Sequence, residues 1–434
     1  MSNNKNNNFN IQLNLNVRGL PQSATLLINE KTALLKKQGK QVYKLGLGQS
    51  PFPVPRPVID ELKVNAFQKD YQPVKGLYTL REAVAEYHCK RHGVCHTAED
   101  VLIGPGSKEL MFLLQYVYYG DLLIPTPSWV SYAPQAKIIG RNVDWLQTKK
   151  ENFWRLTAEE LEAHCKDDPT KPRIVILNYP SNPVGVTYTQ DELKKIAHVA
   201  RKYKLVLLSD EIYGELHYKG KHISISRFYP EGTILSGGLS KWCGAGGWRL
   251  GTFVFPHSLR WLLESMAVMA SETFTATSAP IQYAAVRAFQ GGDTIEKYLW
   301  NARIILEKLG NYLANKLKNE SVFVPKPAGG FYLFPDFYEH REKLSAKGIT
   351  GSIKLCERLL DEAGVAILPG ASFGRPFDEL TARISFVDFD GAKAMEAVTH
   401  LNGKDEVNDE FIETHCAPTV KAVELICEWL RHIQ

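Results

Sequence analysis

The sequence predicts an α/β protein whose larger part is built around a mainly parallel β-sheet. The first observation is alternation, since from residue 101 short apolar runs that suit β-strands alternate with segments that suit helices. The second is that loops marked by Gly, Pro, Asn or Asp follow five of the runs. The third is size, because 434 residues with 44% hydrophobic residues can form about two domains with ample core. The runs are Val101–Ile103, Leu122–Ile124, Ile174–Leu177, Leu205–Leu208, Thr233–Leu235 and Gly251–Phe255.

Composition and charge exclude several classes of protein. The formal charge of +5 is small and spread along the chain, which gives no reason to expect nucleic acid or a membrane as partner. No apolar run approaches about 20 residues, so no transmembrane helix is predicted. The Asn-rich start, MSNNKNNNFN, has no apolar core and does not resemble a signal peptide. A cytoplasmic protein with a flexible arm over residues 1–19 is therefore predicted.

Two patterns of metal-type or redox-type residues are interpreted as ordinary structure. The seven cysteines are scattered without a CxxC pair, which predicts reduced thiols and no disulfide framework. His88, His92 and His96 recur every four residues, but Gly93 ends the helix between the last two. Because closed four-ligand spacing is absent as well, we expect no metal site there.

The elements before the sheet are a helix, a shaped loop and a second helix. Ser23 is a plausible cap for a helix over Ala24–Leu35. The next stretch, YKLGLGQSPFPVPRPV, contains Gly46, Gly48 and closely spaced prolines that exclude regular structure. An amphipathic helix over Leu80–Lys90 follows and stops at Gly93.

The loops after the strands supply polar and aromatic residues of distinct types. GPGSKEL opens a helix, and the free N–H groups at such a helix N-terminus bind anions. PTPSWVSY places Trp129 in a loop, where an aromatic can also be only a core plug. NYPSNPVGV and SDEIYGEL place Asn182, Asp210 and Tyr213 after the next two strands. Since ligands bind outside the carboxyl ends of parallel strands, these residues are predicted to share one site.

The fifth loop, SGGLSKWCGAGGWRLG, surrounds Lys241 with small residues. A lysine in a tight, partly desolvated place can have its pKa lowered enough to be nucleophilic. Arg249 follows eight residues later and offers a planar fork for a phosphate. A nucleophilic amine beside a phosphate clamp suits an aldehyde cofactor that bears a phosphate. The run Gly244–Arg249 also begins like a dinucleotide fingerprint, but its sixth position is an arginine and no suitably placed acidic residue follows.

This set of motifs resembles the class I/II aminotransferases, the aspartate aminotransferase-like enzymes of fold type I that use pyridoxal 5′-phosphate (PLP). The resemblance spans about residues 20–400. It implies that Lys241 attaches the cofactor and moves the substrate proton, that Asp210 faces the pyridine nitrogen, and that Tyr213 donates to the ring oxygen O3′. The remaining cofactor positions that it implies are Gly106, Ser107, Lys108, Trp129, Asn182 and Arg249, with Tyr71 reaching the cofactor of a partner subunit. The substrate positions that it implies are Gly48, Asn182 and Arg383.

One position departs from the family pattern. The family often has a serine three residues before the lysine, where it bonds the cofactor phosphate. Here that position is Gly238, and Ser240 precedes Lys241 directly. One phosphate contact is therefore missing or comes from another residue, for which Ser236 is a candidate.

The resemblance also predicts the domain organisation and the reaction. Residues 20–50 and 321–434 are expected to form a small domain, and 51–320 the large PLP-binding domain, in a homodimer with shared active sites. The expected reaction moves the amino group of an L-amino acid to a 2-oxo acid such as 2-oxoglutarate by a ping-pong mechanism. A PLP-dependent lyase or an aminocyclopropane-carboxylate-synthase-like enzyme shares every motif and is the main alternative. A non-catalytic PLP-binding regulator is a remote one, since too few residues precede the match for a DNA-binding domain.

The amino donor is not evident from the sequence. A site specific for dicarboxylates would need a second arginine for the distal carboxylate. Arg18 and Arg375 stand at plausible places in the chain, but neither can be assigned.

Overall fold

The computed structural model describes residues 13–20, 22, 24–401 and 406–433. Most of the predicted N-terminal arm and the proposed cap Ser23 lie outside the described residues. The strands are β1 (Tyr43–Lys44), β2 (Val101–Gly104), β3 (Asp121–Thr126), β4 (Val143–Gln147), β5 (Arg173–Asn178), β6 (Val206–Asp210), β7 (Thr233–Gly238), β8 (Gly251–Val254), β9 (Tyr332–Leu333), β10 (Val365–Ala366), β11 (Leu368–Pro369) and β12 (Ala382–Ser385). The helices are α1 (Ala24–Lys37), α2 (Arg56–Val64), α3 (Tyr78–His92), α4 (Ser107–Val117), α5 (Tyr132–Ile138), α6 (Ala158–Cys165), α7 (Gln190–Lys202), α8 (Arg260–Glu272), α9 (Ala279–Gln290), α10 (Asp293–Asn319), α11 (Arg341–Ala346), α12 (Ser352–Ala363), α13 (Gly391–Thr399), α14 (Asp409–His415) and α15 (Ala417–His432).

The centre of the fold is a seven-stranded sheet in the order β2-β8-β7-β6-β5-β3-β4. Strands β4, β3, β5, β6 and β7 run parallel, and β8 lies antiparallel to both β7 and β2. The α/β class with a mainly parallel sheet is therefore confirmed. Each predicted run corresponds to a strand, although Leu205 precedes β6 and Phe255 follows β8. The parallel order brings the carboxyl ends of β3, β5, β6 and β7 to one edge of the sheet.

Helices cover both faces of this sheet, which explains why its inner strands are continuous apolar runs. Helices α4 and α8 pack on one face, where Leu110, Phe253 and Leu262 belong to one apolar cluster. Helices α6 and α7 pack on the other face around Leu161 and Leu193. Helix α7 begins with a capping box that satisfies the first free N–H groups of the helix.

Two smaller sheets are built from chain segments far apart in sequence. Strand β1 pairs with β10 in parallel, and β11, β12 and β9 form an antiparallel sheet. The pairing of β1 with β10 joins residues 43–44 to residues 365–366, and the division into a small domain of residues 20–50 and 321–434 and a large domain of 51–320 stays a prediction. Helices α14 and α15 pack against α10.

The prediction of reduced thiols throughout is wrong at one pair of cysteines. Cys89 and Cys95 are joined by a disulfide with their Cα atoms 4.3 Å apart. Gly93 ends α3 in a left-handed conformation, with φ of 71°, and this turn folds the following residues back against the helix. The five remaining cysteines are free and buried.

Among the residues that the structure describes, no helix is long and apolar enough to cross a membrane.

Candidate active site

A cavity of about 470 Å³ lies at the carboxyl edge of the central sheet. Residues from the loops after β2, β3, β5, β6 and β7 line it, together with residues of the small sheets. It brings together ten of the predicted site residues, which are Gly48, Ser107, Lys108, Trp129, Asn182, Asp210, Tyr213, Lys241, Arg249 and Arg383. Gly106 lies directly beside it, and Tyr71 does not line it.

Lys241 is a partly buried lysine whose amine is held in a defined position. Its Nζ donates a hydrogen bond to the carbonyl oxygen of Gly48 at 2.7 Å. Burial, and then the positive charge of Arg383, lower the pKa of Lys241 to about 8, while the carboxylate of Asp210 opposes the shift. A larger fraction of this amine is therefore neutral near pH 7 than of an ordinary surface lysine.

Asp210 ends strand β6 and is buried beside two hydroxyl donors. Its Oδ2 accepts from the hydroxyl of Tyr132 at 2.6 Å, and its Oδ1 accepts from the hydroxyl of Ser236 at 3.3 Å. Burial raises the pKa of Asp210 to about 6, while the hydrogen bonds from Tyr132 and Ser236 oppose that rise. The suggested phosphate contact from Ser236 is therefore wrong, because Ser236 is committed to Asp210. Tyr132 was missed, although it belongs to the PTPSWVSY loop.

A cationic cradle forms where α4 begins. Gly106 has φ of 94°, and a Cβ there would lie 2.2 Å from Nη2 of Arg249, so the guanidinium occupies the space that any side chain would fill. Arg249 donates to the carbonyls of Gly246 at 2.8 Å and Pro105 at 3.3 Å. Burial, and then the charge of Arg249, lower the pKa of Lys108. Free N–H groups at a helix N-terminus and two crowded cations favour a bound anion of high charge.

Arg383 stands on β12 at the opposite end of the cavity and is 1% exposed. Its Nη1 donates to Oδ1 of Asn182 at 3.1 Å and its Nη2 to the carbonyl of Gly46 at 2.5 Å. Its Nε is buried without a hydrogen-bond partner. A buried guanidinium with a free donor favours a carboxylate as ligand, since that group can satisfy the donor.

The hydroxyls of Tyr213 and Tyr332 meet at 2.8 Å between these two ends. Tyr332 belongs to β9, and the guanidinium carbon of Arg383 lies 4.8 Å from the centre of its ring. The missing Cβ of Gly48 would lie 1.9 Å from the Tyr332 hydroxyl. Tyr332 was not singled out from the sequence.

Gly238 is required by the backbone. Its φ is 147°, and a Cβ there would lie 2.7 Å from the carbonyl oxygen of Leu250, which directly precedes the neighbouring strand β8, and 3.0 Å from Cα of Gly251. A serine at this position would therefore strain the β7–β8 pair. Ser240, which directly precedes Lys241, does line the cavity.

Three predicted or suggested residues lie elsewhere. Tyr71 is 91% exposed, next to a surface depression lined by residues 68–72 and 276–280. Arg375 is paired with Glu379 at 2.6 Å and donates to Thr126 Oγ1 at 3.0 Å, so it is not free to bind a substrate. Arg18 is exposed and does not line the cavity.

Comparisons with known proteins agree on one family. A family model described as aminotransferase class I and II matches residues 40–401. Aspartate aminotransferase of Geobacillus stearothermophilus is 33% identical over 370 residues, which is 83% of this chain and 91% of that protein. Asparagine–oxo-acid transaminase of Streptococcus mutans is 32% identical over 377 residues, covering 84% of this chain and 93% of that protein.

Solved structures show the same likeness. Aspartate aminotransferase of Thermus thermophilus with maleate superposes with a TM-score of 0.81 at 25% identity, covering 96% of this chain and 99% of that one. Aromatic aminotransferase of Pyrococcus horikoshii superposes with a TM-score of 0.76 at 28% identity, covering 93% and 98%.

Proposed function

This chain belongs to the class I and II aminotransferases and has their fold, and from that premise we propose that it binds PLP through Lys241 and transfers the amino group of L-aspartate to 2-oxoglutarate. That the enzyme is a transaminase follows from the family and from relatives named as transaminases. The same relatives argue against the lyase and the regulator alternatives, because they are named as transaminases. The single observation that best supports the proposal is the amine of Lys241, whose pKa is lowered to about 8 in the cavity that also contains Asp210 and Arg249.

The residues present fit the cofactor. The cradle of Ser107, Lys108 and Arg249 would hold the phosphate, because it combines a helix N-terminus with two cations. Trp129 would cover one face of the ring, since it lines the cavity beside Lys108. When bound, PLP supplies a protonated ring that accepts the negative charge developing at the substrate Cα.

Asp210 would keep the proton on the pyridine nitrogen. Its carboxylate is held by hydroxyls of Tyr132 and Ser236, which also favour its ionised form. An ionised acceptor at that position stabilises the protonated ring nitrogen. Tyr213 would donate its hydroxyl proton to O3′, and the amide nitrogen of Asn182 is available for the same oxygen because its carbonyl accepts from Arg383.

Lys241 would act as the base that removes the proton from the substrate Cα, and it would then deliver that proton to C4′ of the cofactor. Only the neutral amine can accept a proton, and the lowered pKa makes that form accessible near neutral pH. The carbonyl of Gly48, which now accepts from Nζ, offers a place for the amine between steps. The resemblance gives the backbone of Gly48 a different role, toward the substrate, and that role stays a prediction.

Arg383 would bind the α-carboxylate of the substrate with its free Nε and neighbouring N–H groups. Relatives named for aspartate and one solved structure with maleate favour a dicarboxylic substrate. In the described chain the cations lining the cavity are Lys108, Lys241, Arg249 and Arg383, and the first three belong to the cofactor side. A distal carboxylate would therefore be held by uncharged donors such as Gln49 or by a partner subunit.

A panel of amino donors tests the substrate. Aspartate, asparagine, alanine and phenylalanine are each assayed with 2-oxoglutarate, and formation of glutamate and the matching oxo acid is measured. We expect aspartate to give the highest kcat/KM, with no oxo acid released catalytically when the acceptor is omitted. A better rate with asparagine or phenylalanine would reassign the donor. Steady release of oxo acid and ammonia without an acceptor would indicate a lyase instead.

We also propose a homodimer in which Tyr71 serves the partner's site. The supporting observation is its 91% exposure together with its place beside exposed Phe67 and the depression around residues 276–280. Chains with Lys241→Ala and Tyr71→Ala are mixed, since one site of such a heterodimer has both lesions and the other has none. Restored activity is expected. Confirmed heterodimers that stay inactive would exclude the shared site.

The cytoplasmic location likewise stays a prediction, which cell fractionation would test.

A further inference from the structure

The hydroxyls of Tyr213 and Tyr332 form a hydrogen bond in which either oxygen could be the donor. Both side chains are buried, at 2% and 1% exposure, and their oxygens are 2.8 Å apart. A tyrosine hydroxyl has one proton to donate and can also accept. Tyr213 can offer its proton to the active site only if Tyr332 is the donor within the pair. If Tyr213 were the donor, its proton would point to Tyr332 and could not be offered to a ligand in the cavity.

The charge of Arg383 favours Tyr332 as the donor. Its guanidinium carbon lies 4.8 Å from the centre of the Tyr332 ring, and both residues project from the same face of the β9–β12 pair, where Ser385 is opposite Tyr332. Burial raises the pKa of both hydroxyls, and at Tyr332 the positive charge of Arg383 is the main opposing influence. The more acidic hydroxyl of a pair is the better donor.

The position of the Tyr332 hydroxyl is fixed by the surrounding backbone. It fills the space that a Cβ of Gly48 would occupy, at 1.9 Å, so it rests against the backbone of that residue. Gly48 in turn accepts from Lys241. Tyr332 therefore contacts Tyr213 and Arg383 directly and is linked to the Lys241 amine through the backbone of Gly48.

We propose that Tyr332 is a positioning residue that donates its hydroxyl proton to Tyr213 and thereby turns the Tyr213 proton toward O3′ of the cofactor. The proposal rests on the proposed binding of PLP at Lys241. A hydrogen bond donated to O3′ withdraws negative charge from that oxygen. The Nζ of Lys241, once joined to the cofactor, then loses its proton more easily. Loss of the Tyr332 hydroxyl should therefore raise the pH at which the visible absorbance of the bound cofactor titrates.

Tyr332→Phe tests this, because it removes the hydroxyl and keeps the ring. We expect the absorbance titration to shift upward by roughly 0.5 to 1 pH unit, the equivalent of one neutral hydrogen bond. Tyr213→Phe should shift it further in the same direction. In the Tyr213→Phe background, adding Tyr332→Phe should change the titration by less than about 0.3 unit, because no hydroxyl is left to orient. Tyr229→Phe is the matched control, since it removes another buried hydroxyl, one that donates to the carbonyl of Leu205 at 2.9 Å.

The outcomes separate this proposal from the proposed function. If the parent protein shows no visible absorbance with PLP, binding at Lys241 is wrong and the proposal falls with it. If the parent titrates normally and Tyr332→Phe titrates like the parent, the proposal alone is overturned. Equal shifts from Tyr332→Phe with and without Tyr213 would overturn it as well, because they would show an effect that bypasses Tyr213. A shift in Tyr229→Phe as large as in Tyr332→Phe would reduce the effect to a general loss of packing and also count against it.

Discussion

Replacing Gly48 by alanine should damage both stability and catalysis, although glycine to alanine is a small change. The added methyl group would lie 1.9 Å from the hydroxyl oxygen of Tyr332 and 2.8 Å from its Cζ. The backbone of Gly48 has no positive φ, so the conflict comes from space and not from conformation. The methyl must therefore displace the Tyr332 side chain and separate its hydroxyl from that of Tyr213.

The structure allows the magnitude to be worked out. Forcing a methyl group into a packed site costs about 1–3 kcal/mol. The broken hydrogen bond between Tyr213 and Tyr332 adds roughly 0.5–1.5 kcal/mol. We therefore expect Gly48→Ala to lower the free energy of unfolding by about 2–4 kcal/mol. In the double variant with Tyr332→Phe the closest clash is gone and the contacts to Cζ at 2.8 Å and Cε1 at 2.9 Å remain. The added cost of the methyl should therefore fall by about half.

Equilibrium unfolding in denaturant measures these changes, and kcat/KM on the best donor is measured in parallel. Gly247→Ala is the control, because Gly247 also lines the cavity but has nothing within 4 Å of its missing Cβ. It should change stability by no more than about 0.5 kcal/mol. If Gly48→Ala behaves like Gly247→Ala, or if Tyr332→Phe fails to relieve it, the contact between Gly48 and Tyr332 is not as described.

Three further predictions concern the two ends of the cavity. Arg383→Ala should lower kcat/KM on amino acids by on the order of 10²–10⁴ with little change in cofactor binding, and Arg383→Lys should recover little because an ammonium has no fork; a loss within about fivefold would contradict the assignment. Gly238→Ser should weaken PLP binding, since φ of 147° and the nearby Leu250 carbonyl leave no room for a side chain; a tighter Kd, measured by titration of the cofactor-free protein, would mean that the backbone adapts. The rate at which the cofactor-free protein captures PLP should rise through about pH 8, because only neutral Lys241 reacts, and should fall below about pH 6 as Asp210 takes up a proton; a rate still rising steeply toward pH 10 would show an ordinary lysine.

The fold and most of the cavity could be predicted because their determinants are local in sequence. Each strand is a short apolar run, and its functional residues stand at its end or in the next loop, as Asp210 ends β6 and Tyr213 follows it. Once parallel strands are inferred, their carboxyl ends must share an edge, and the loops after them must meet. The family resemblance then assigned roles to those positions.

Contacts between segments that are distant in the chain could not be predicted from the sequence. Tyr332 meets Tyr213 across 119 residues, and Tyr132 meets Asp210 across 78, and no local pattern specifies either pair. The need for glycine at position 238 depends on the neighbouring strand, so the sequence suggested a missing serine where the structure has no space for one. The disulfide of Cys89 and Cys95 depends on the turn at Gly93, whereas the sequence argument considered only CxxC spacing.

The central claim is that Lys241 holds the cofactor, and reduction followed by peptide mapping tests it most directly. The purified protein loaded with PLP is treated with borohydride, which fixes the cofactor to the amine that holds it, and the labelled peptide is sequenced. The account predicts a label on Lys241, whose pKa is lowered to about 8, and none on Lys108, which would face the phosphate. A label on Lys108, or full labelling of a Lys241→Ala variant, would contradict it.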